Sequence, residues 1–245
     1  MLGITFDIDW APDWAIEQCM EICVTHGVPA TFFATHQSPL LDELKANPLF
    51  EVGIHPNFLP GSCHGDNHEQ VLDYCMALVP QARSMRTHGL YQSSRLFELV
   101  MTQYAHIHTD LSLYLGDHPN LQPVTLHAEG GAQLIRLPYC WEDDLQAIDP
   151  AGGWDLPKTL EPGLRIYNFH PVHVALNMND MAQYARMKKG LGGTPLTAAT
   201  PKHFAPYTSS EPGTLTFLQQ LMKQAETARF DTVGGLTKQW EQSRE

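Results

Sequence analysis

Asp7 and Asp9 stand two residues apart in Thr5-Phe6-Asp7-Ile8-Asp9, where a short apolar run ends. In an extended strand alternate residues share a face, so both carboxylates can serve one site. Three later runs also end in groups fit for metal or proton chemistry: Glu51-Val52-Gly53-Ile54-His55-Pro56-Asn57, Arg86-Thr87-His88 and Asn168-Phe169-His170-Pro171-Val172-His173. Carboxylate and imidazole together suit a divalent ion such as Zn²⁺, Mn²⁺, Fe²⁺ or Co²⁺. Imidazole also titrates near neutrality, where it can hand over a proton. Four such ends in chain order point to one site rather than to scattered structural residues.

Groups carried this way need a frame that gathers strand ends. Apolar, β-rich runs recur at 2–6, Ala30–Ala34, Phe50–Ile54, 85–88, 105–109, 134–138 and 164–169, with helical stretches between them. That alternation predicts an α/β chain of parallel strands, a distorted (β/α)7-type barrel, with residues 1–245 as one domain. In such folds the C-terminal strand ends carry the active site. The first helix is expected from an Asp13 cap to Gly27, burying Ala15, Cys19, Ile22 and Cys23. Ser38-Pro39 opens a second, Asp66 or Asn67 caps a third, and Thr214 caps a late one. The Gly-, Pro-, Ser- and Thr-rich stretches at about 149–163 and 190–213 read as long loops, the second as either a lid or a surface excursion.

Composition narrows the partners. The formal charge is −12, with no run of Lys and Arg, which argues against nucleic acid and anionic lipid. The chain opens on Met-Leu-Gly-Ile-Thr-Phe-Asp, without a basic segment or a long apolar one, so neither a signal peptide nor a membrane span is expected, and a cytoplasmic placement is the expectation. Five cysteines without a CxxC pair fit free thiols. No sequence feature speaks to oligomeric state.

With these residues in place, the chain resembles the polysaccharide deacetylases of carbohydrate esterase family 4, the NodB-homology domain, as far as about His173. Thr5-Phe6-Asp7-Ile8-Asp9 is similar to the first motif of that family, which implies Asp7 as general base and Asp9 as metal ligand. Glu51-Val52-Gly53-Ile54-His55 resembles the second motif, implying His55 as a ligand. Ser84-Met85-Arg86-Thr87-His88-Gly89 stands where the third motif's Arg orients the base. Leu137-Pro138-Tyr139-Cys140-Trp141-Glu142-Asp143 resembles the fourth, a Trp-containing wall with an acidic partner. Tyr167-Asn168-Phe169-His170 resembles the fifth, implying His170 as general acid.

The resemblance implies a metal-dependent hydrolase that removes an N-acetyl group from an amino sugar, a glycan or its precursor, using Zn or else Mn, Co, Fe or Ni. The metal would activate a water, Asp7 would take its proton, His170 would protonate the leaving amine, and Arg86 would grip Asp7 through two hydrogen bonds. Trp10, Tyr139, Trp141 and Asn57 are the expected substrate contacts, since aromatic faces stack on sugars. The chain departs from the family at three points: Ile8 separates the two aspartates, no Pro follows Arg86, and Leu59 and Pro60 stand where a second His is expected. His88 is the expected replacement ligand, with His64 as its competitor. Three other readings stay open: hydrolysis of another C–N bond, such as a cyclic amide or ureide; a glycosidase using Asp7 with Glu142 or Asp143; and a non-catalytic sugar-binding barrel.

Overall fold

The computed structural model describes residues 1–116, 118–149, 152–157 and 162–244. Nine strands form one sheet: β1 (Leu2–Asp7), β2 (Ala30–Ala34), β3 (Phe50–Ile54), β4 (Ser84–Met85), β5 (Thr109–Asp110), β6 (Val124–His127), β7 (Gln133–Arg136), β8 (Trp141–Glu142) and β9 (Arg165–Phe169). Their order is β6-β7-β5-β4-β3-β2-β1-β9-β8, with every neighbouring pair parallel except β6 and β7. The sheet curls into the expected distorted barrel, and the chain itself joins its flanks. Residues 133–142 first follow β5, with Leu137 N donating to Asp110 O at 2.9 Å and Tyr139 N to Leu113 O at 3.0 Å. They then cross to β9, where Cys140 N donates to Ile166 O and Trp141 pairs with Tyr167. Counting that segment once gives the ring β1-β2-β3-β4-β5-β7/β8-β9, whose seven members match the barrel type predicted.

Strict alternation divides the side chains between two layers. Ile4, Phe6, Phe32, Ala34, Val52, Ile54, Tyr167 and Phe169 face outward and form the main core with the helices. Phe6 stacks on Phe32 with centroids 4.7 Å apart; truncating such a buried ring typically costs about 3–5 kcal/mol. The helices are α1 (Asp13–His26), α2 (Leu40–Ala46), α3 (His68–Leu78), α4 (Ser94–Gln103), α5 (Asp143–Ile148), α6 (Pro171–Leu176), α7 (Met181–Gly190), α8 (Pro201–Phe204), α9 (Thr214–Lys223) and α10 (Val233–Gln242). Inside the barrel a second cluster joins Phe33, Ile135, Leu137, Tyr139 and Ile166 to Val233 and Leu236 of α10. The last helix is therefore the floor of the barrel. Glu51 fastens it, accepting from Gly234 N and from Ser84 Oγ of β4, each at 2.6 Å.

The structure shifts several expected boundaries. The strands foreseen at 85–88 and 105–109 shrink to two residues each: the first turns inward after Met85 to carry Arg86 and His88, and a turn from Tyr104 to Ile107 occupies most of the second. The hairpin partner β6 and the short β8 were not foreseen. Pro12, not Asp13, caps α1, and the Asp13 carboxylate instead accepts from Ser38 Oγ at 2.7 Å. Asn67 caps α3 through Gln70 N. Gly213, not Thr214, caps α9, because a Cβ at that position would collide with Asn177 O. The stretch 190–213 is a folded strap: Trp14 Nε1 donates to Ala199 O at 2.8 Å, its ring meets Phe204 edge-on, and Gln183 Nε2 donates to Tyr207 O at 2.6 Å. Of the stretch 149–163, residues 150–151 and 158–161 lie outside the described residues. Among the described residues no helix is long and apolar enough to cross a membrane.

The Glu51 contacts generate a stability prediction. Glu51→Ala leaves a helix N-terminus and a buried hydroxyl without their acceptor and should lower unfolding free energy by about 1–3 kcal/mol. Glu51→Gln, which still accepts, should recover part of that loss in urea denaturation. Equal midpoints for Glu51→Ala and the parent would refute this fastening role.

Candidate metal centre and catalytic site

The two aspartates leave β1 in different ways. Asp7 still obeys strand alternation, points into the barrel and is buried. Asp9 lies beyond the strand in a turn where Asp9 (φ 45°) and Trp10 (φ 55°) are both left-handed. Each such non-glycine residue costs about 1–2 kcal/mol. The turn is pinned by Ala11 N donating to Ile8 O at 2.8 Å and Trp10 N donating to Thr35 Oγ1 at 3.0 Å. Its effect is to swing the Asp9 carboxylate over the barrel mouth.

There it meets two imidazoles. Asp9 Oδ1 lies 3.1 Å from His55 Nε2 and 3.1 Å from His88 Nδ1, and the two ring nitrogens are 3.3 Å apart. His55 follows β3 with its N–H bonded to Ala34 O, and His88 N donates to Pro56 O, which locks the two histidine-bearing segments together. A tetrahedral ion with bonds of about 2.0–2.1 Å would space its ligands by roughly 3.3 Å. The three donor atoms already stand at that spacing, so the set fits a divalent cation both in chemistry and in shape. Burial opposes ionisation of Asp9, but the charge and hydrogen bond of His55 and the hydrogen bond of His88 outweigh it and hold the carboxyl well below its usual range.

His64, the competing ligand, is committed elsewhere. Its Nδ1 accepts from Asn57 N at 3.1 Å and its Nε2 lies 2.8 Å from Thr35 O, so the backbone claims both nitrogens. His88 is the histidine that joins Asp9 and His55.

Below this triad lies a polar knot. Arg86, fully buried, donates through one terminal nitrogen to Asp7 Oδ1 at 3.1 Å, to Thr5 Oγ1 at 2.9 Å and to Asn168 Oδ1. The grip on Asp7 is thus single, not the double contact expected, because Asn168 Nδ2 takes the other Asp7 oxygen and Arg86 Nε turns to Leu111 O. The other terminal nitrogen has no hydrogen-bond partner among the described residues, and the guanidinium rests on the Tyr139 ring at 4.4 Å. Asp7 Oδ2 accepts from Asn168 Nδ2 at 2.9 Å, and the same amide nitrogen donates to Glu142 Oε1 at 3.1 Å. Burial, with the nearby charges of Asp144 and Asp7, pushes Glu142 up to about 7.

His170 approaches from β9. Asp143, fully buried at the start of α5, accepts from His170 N at 2.9 Å and sits 2.6 Å from His170 Nδ1 and 3.1 Å from His173 Nδ1. That leaves His170 Nε2 facing Asp9 Oδ2 at 3.6 Å. Burial would lower the His170 pKa, but the charge and hydrogen bond of Asp143, with Asp9 behind, raise it well above the ordinary value. Burial likewise works against ionised Asp143, and its two histidines reverse that and hold it low.

The foreseen substrate contacts fare unequally. Trp10 is half-buried beside the triad, its ring 5.4 Å from His88 and 5.5 Å from His64. Tyr139 has no exposed surface: it supports Arg86 and donates to Glu142 Oε2 at 2.6 Å, so it cannot stack on a sugar. Trp141 faces outward, stacked on Phe217 of α9 with centroids 4.2 Å apart, because period-2 geometry sends its neighbour Glu142 inward instead. Asn57 closes its own loop by accepting from Leu59 N. Asn168 and Thr35, which the strand-end pattern does not single out, complete the site through their bonds to Asp7 and to Trp10 N. A signal for Asn168 existed: it is the polar residue on the inward face of β9, in register with Thr5.

Comparison with known proteins adds a family. A family model described as WbmS-like polysaccharide deacetylase matches residues 4–188. Among solved structures, a protein from Bordetella bronchiseptica (WbmS), described as a polysaccharide deacetylase involved in O-antigen biosynthesis, is 30% identical with a TM-score of 0.76, covering 91% of this chain and 90% of its own. The peptidoglycan N-acetylglucosamine deacetylase Bc1960 matches at 12% identity and a TM-score of 0.49, over 96% of this chain and 86% of its own. A family 4 acetyl xylan esterase from Clostridium thermocellum, solved with a cobalt ion, matches at 12% identity and a TM-score of 0.45, over 97% and 90%. No curated protein sequence matches.

The Asp143 contacts make a pH prediction. A histidine whose folded pKa is raised stays protonated at pH values where a free one is neutral. In an NMR titration of the metal-free protein, His170 should therefore lose its proton above the range of solvent-exposed histidines, and Asp143→Asn should move that midpoint down. A midpoint unchanged by Asp143→Asn would remove Asp143 as the cause.

Proposed function

The chain belongs to the WbmS-like polysaccharide deacetylase family, and from that premise we propose that it is a metal-dependent N-deacetylase acting on an acetylated amino sugar within a glycan or its precursor. The observation that carries this reading is the convergence of Asp9, His55 and His88 into one donor set, with Asp7 on one side and His170 on the other.

Asp9, His55 and His88 would hold the cation, with zinc first among the candidates for this nitrogen and oxygen set. Bound there, it supplies a Lewis acid for the amide carbonyl and acidifies a water. Asp7 is the base. Arg86 and Asn168 each occupy one of its oxygens, which fixes its plane and leaves its remaining lone pairs to receive the water's proton. His170 is the acid: Asp143 holds Nδ1, so Nε2 is the nitrogen left to deliver a proton to the departing amine. Tyr139 and Phe33 floor the pocket under Arg86 and keep water from the guanidinium. Trp10, beside His88, is the aromatic face placed to meet the sugar ring.

Two experiments test the proposal. Metal content after zinc loading should fall at least about tenfold in Asp9→Ala, His55→Ala and His88→Ala, whereas His64→Gln should bind metal like the parent; loss in His64→Gln with retention in His88→Ala would reverse the ligand assignment. Acetate release from acetamido sugars and oligosaccharides by the zinc-loaded protein should drop about 10²–10⁴-fold in Asp7→Asn and His170→Ala, with ligand binding preserved. Release of ammonia or ring-opened product from cyclic amides, without acetate from any sugar, would favour the other C–N hydrolase. Cleavage of glycosidic bonds by metal-free protein would favour a glycosidase, and binding without turnover a sugar-binding barrel.

A further inference from the structure

Between Asp180 and Glu211 the chain carries no acidic residue, yet it places Arg186, Lys188, Lys189 and Lys202 there, in a protein whose formal charge is −12. These cations lie on α7 and on the strap that follows it. A basic stretch on a strongly acidic molecule marks the place where an anion is drawn in and not repelled.

The fold sets this stretch beside the proposed acid. Tyr184 of α7 is half-buried and meets the His173 ring edge-on, with centroids 5.1 Å apart, and the His173 ring lies 4.7 Å from that of His170. The strap is in turn held by Trp14, five residues past Asp9, through Ala199 O. Both pieces therefore border the end of the barrel where Asp9 and His170 meet.

Two donors on this wall have no partner. Lys188 stands one turn on from Tyr184, on the same helix face, with its ammonium 5.7 Å from the centre of the Tyr184 ring. Lysines in a last turn commonly serve the negative helix end; Lys188 instead lies back over the ring that touches His173. Among the described residues the Tyr184 hydroxyl makes no hydrogen bond, and none of Arg186, Lys188, Lys189 and Lys202 is in an ion pair. Burial and the charge of Asp9 push the Tyr184 hydroxyl up, with His170 pulling the other way, so it stays a protonated donor within electrostatic reach of both.

The amine that His170 would protonate is bonded directly to the sugar ring, so that ring must lie on the His170 side of the metal. A substituent on it then comes within reach of α7. Neutral hydroxyls call for no free ammonium, whereas an anionic oxygen gains a charge-assisted hydrogen bond from one. Resting on the deacetylase reading, we propose that Tyr184 and Lys188 form an anion-binding element, and that the substrate is an acetamido sugar bearing a negatively charged group, a phosphate or a carboxylate. The other cations of the strap add attraction at longer range, and an uncharged sugar is the poorer substrate.

The test reads binding by calorimetry in zinc-loaded His170→Ala protein and acetate release in the zinc-loaded parent. The probes are N-acetylglucosamine and N-acetylgalactosamine, their 1-phosphates, their uridine diphosphate conjugates and the matching uronic acids. At least one charged sugar should bind about tenfold or more tightly than its neutral counterpart, a margin that one charge-assisted contact can supply. High salt should shrink that margin. Lys188→Ala should remove most of it and Tyr184→Phe part of it, Lys188→Arg should keep it, and Lys238→Ala, on α10 at the barrel floor, should leave it intact. Lys188 and Lys238 are both exposed, so the fold should survive these changes. A margin confined to the phosphates or to the uronates supports the element and names its anion. The element is overturned if no charged sugar outbinds its neutral counterpart, if the margin survives intact in Lys188→Ala, or if Lys238→Ala removes as much of it. Charged sugars bound through Lys188 without acetate release would keep the anion site and sink the deacetylase reading; acetate from neutral sugars alone, with Lys188→Ala no different from the parent, would do the reverse.

Discussion

The side-chain amide of Asn168 makes four hydrogen bonds. Its oxygen accepts from Thr5 Oγ1 and from Arg86, while its nitrogen donates to Asp7 and to Glu142. That amide therefore ties β1, β8 and β9 to the residue that follows β4, across the inside of the barrel. An amide is suited to the place: it can accept on one side and donate on the other without adding charge. An aspartate there would lose both donors and press a third carboxylate against Asp7 and Glu142. Remove it, and Asp7 loses a donor, Glu142 loses its link to Asp7, and Arg86 loses one of its three neutral acceptors.

This arrangement explains why a full guanidinium is tolerated where almost no water reaches. Burying a charge is costly unless it is paired and hydrogen-bonded, and Arg86 is only partly paired. Its compensation is distributed: one carboxylate, a hydroxyl, an amide oxygen and the face of Tyr139. Such a shell is directional, so it resists rotation of the guanidinium, and a fixed guanidinium in turn fixes the carboxylate plane of Asp7. The left-handed turn at Asp9 and Trp10 is the other stored cost. It is repaid by the Thr35 hydroxyl and by the two histidines that meet Asp9, and its product is the placement of one carboxylate above another from a single strand.

The frame was legible in the sequence because barrel strands obey alternation so strictly. Inward Thr5, Asp7, His55 and Asn168 are separated by outward Phe6, Ile54 and Phe169, and reading the strand ends in order gathered nearly all of the site. What escaped lay where alternation stops. Trp141 and Glu142 occupy a two-residue strand, too short for a period to show which one faces inward. Tyr139 precedes it on a segment that changes partners, so its burial depends on a crossover that local pattern does not encode. The pairing of Asp143 with His170 and His173 joins α5 to the end of β9, a contact between residues distant in sequence that no local pattern marks.

His88 shows how one donor of such a candidate set can come from a neighbouring strand without changing the fold. With Leu59 and Pro60 where a histidine would bring a further donor, the loop after His55 lines a cavity instead. The third donor beside Asp9 and His55 belongs to His88, two residues past Arg86 on the neighbouring strand's extension. Because Arg86 is locked into the knot, the segment that carries it has little freedom, and His88 inherits that rigidity through its own backbone bond to Pro56. The proposed base and one proposed metal ligand are thereby set by one segment. A displacement of Arg86 would reach Asp7 and His88 together, which would couple the proposed base to the proposed cation site more tightly than residues on separate loops would.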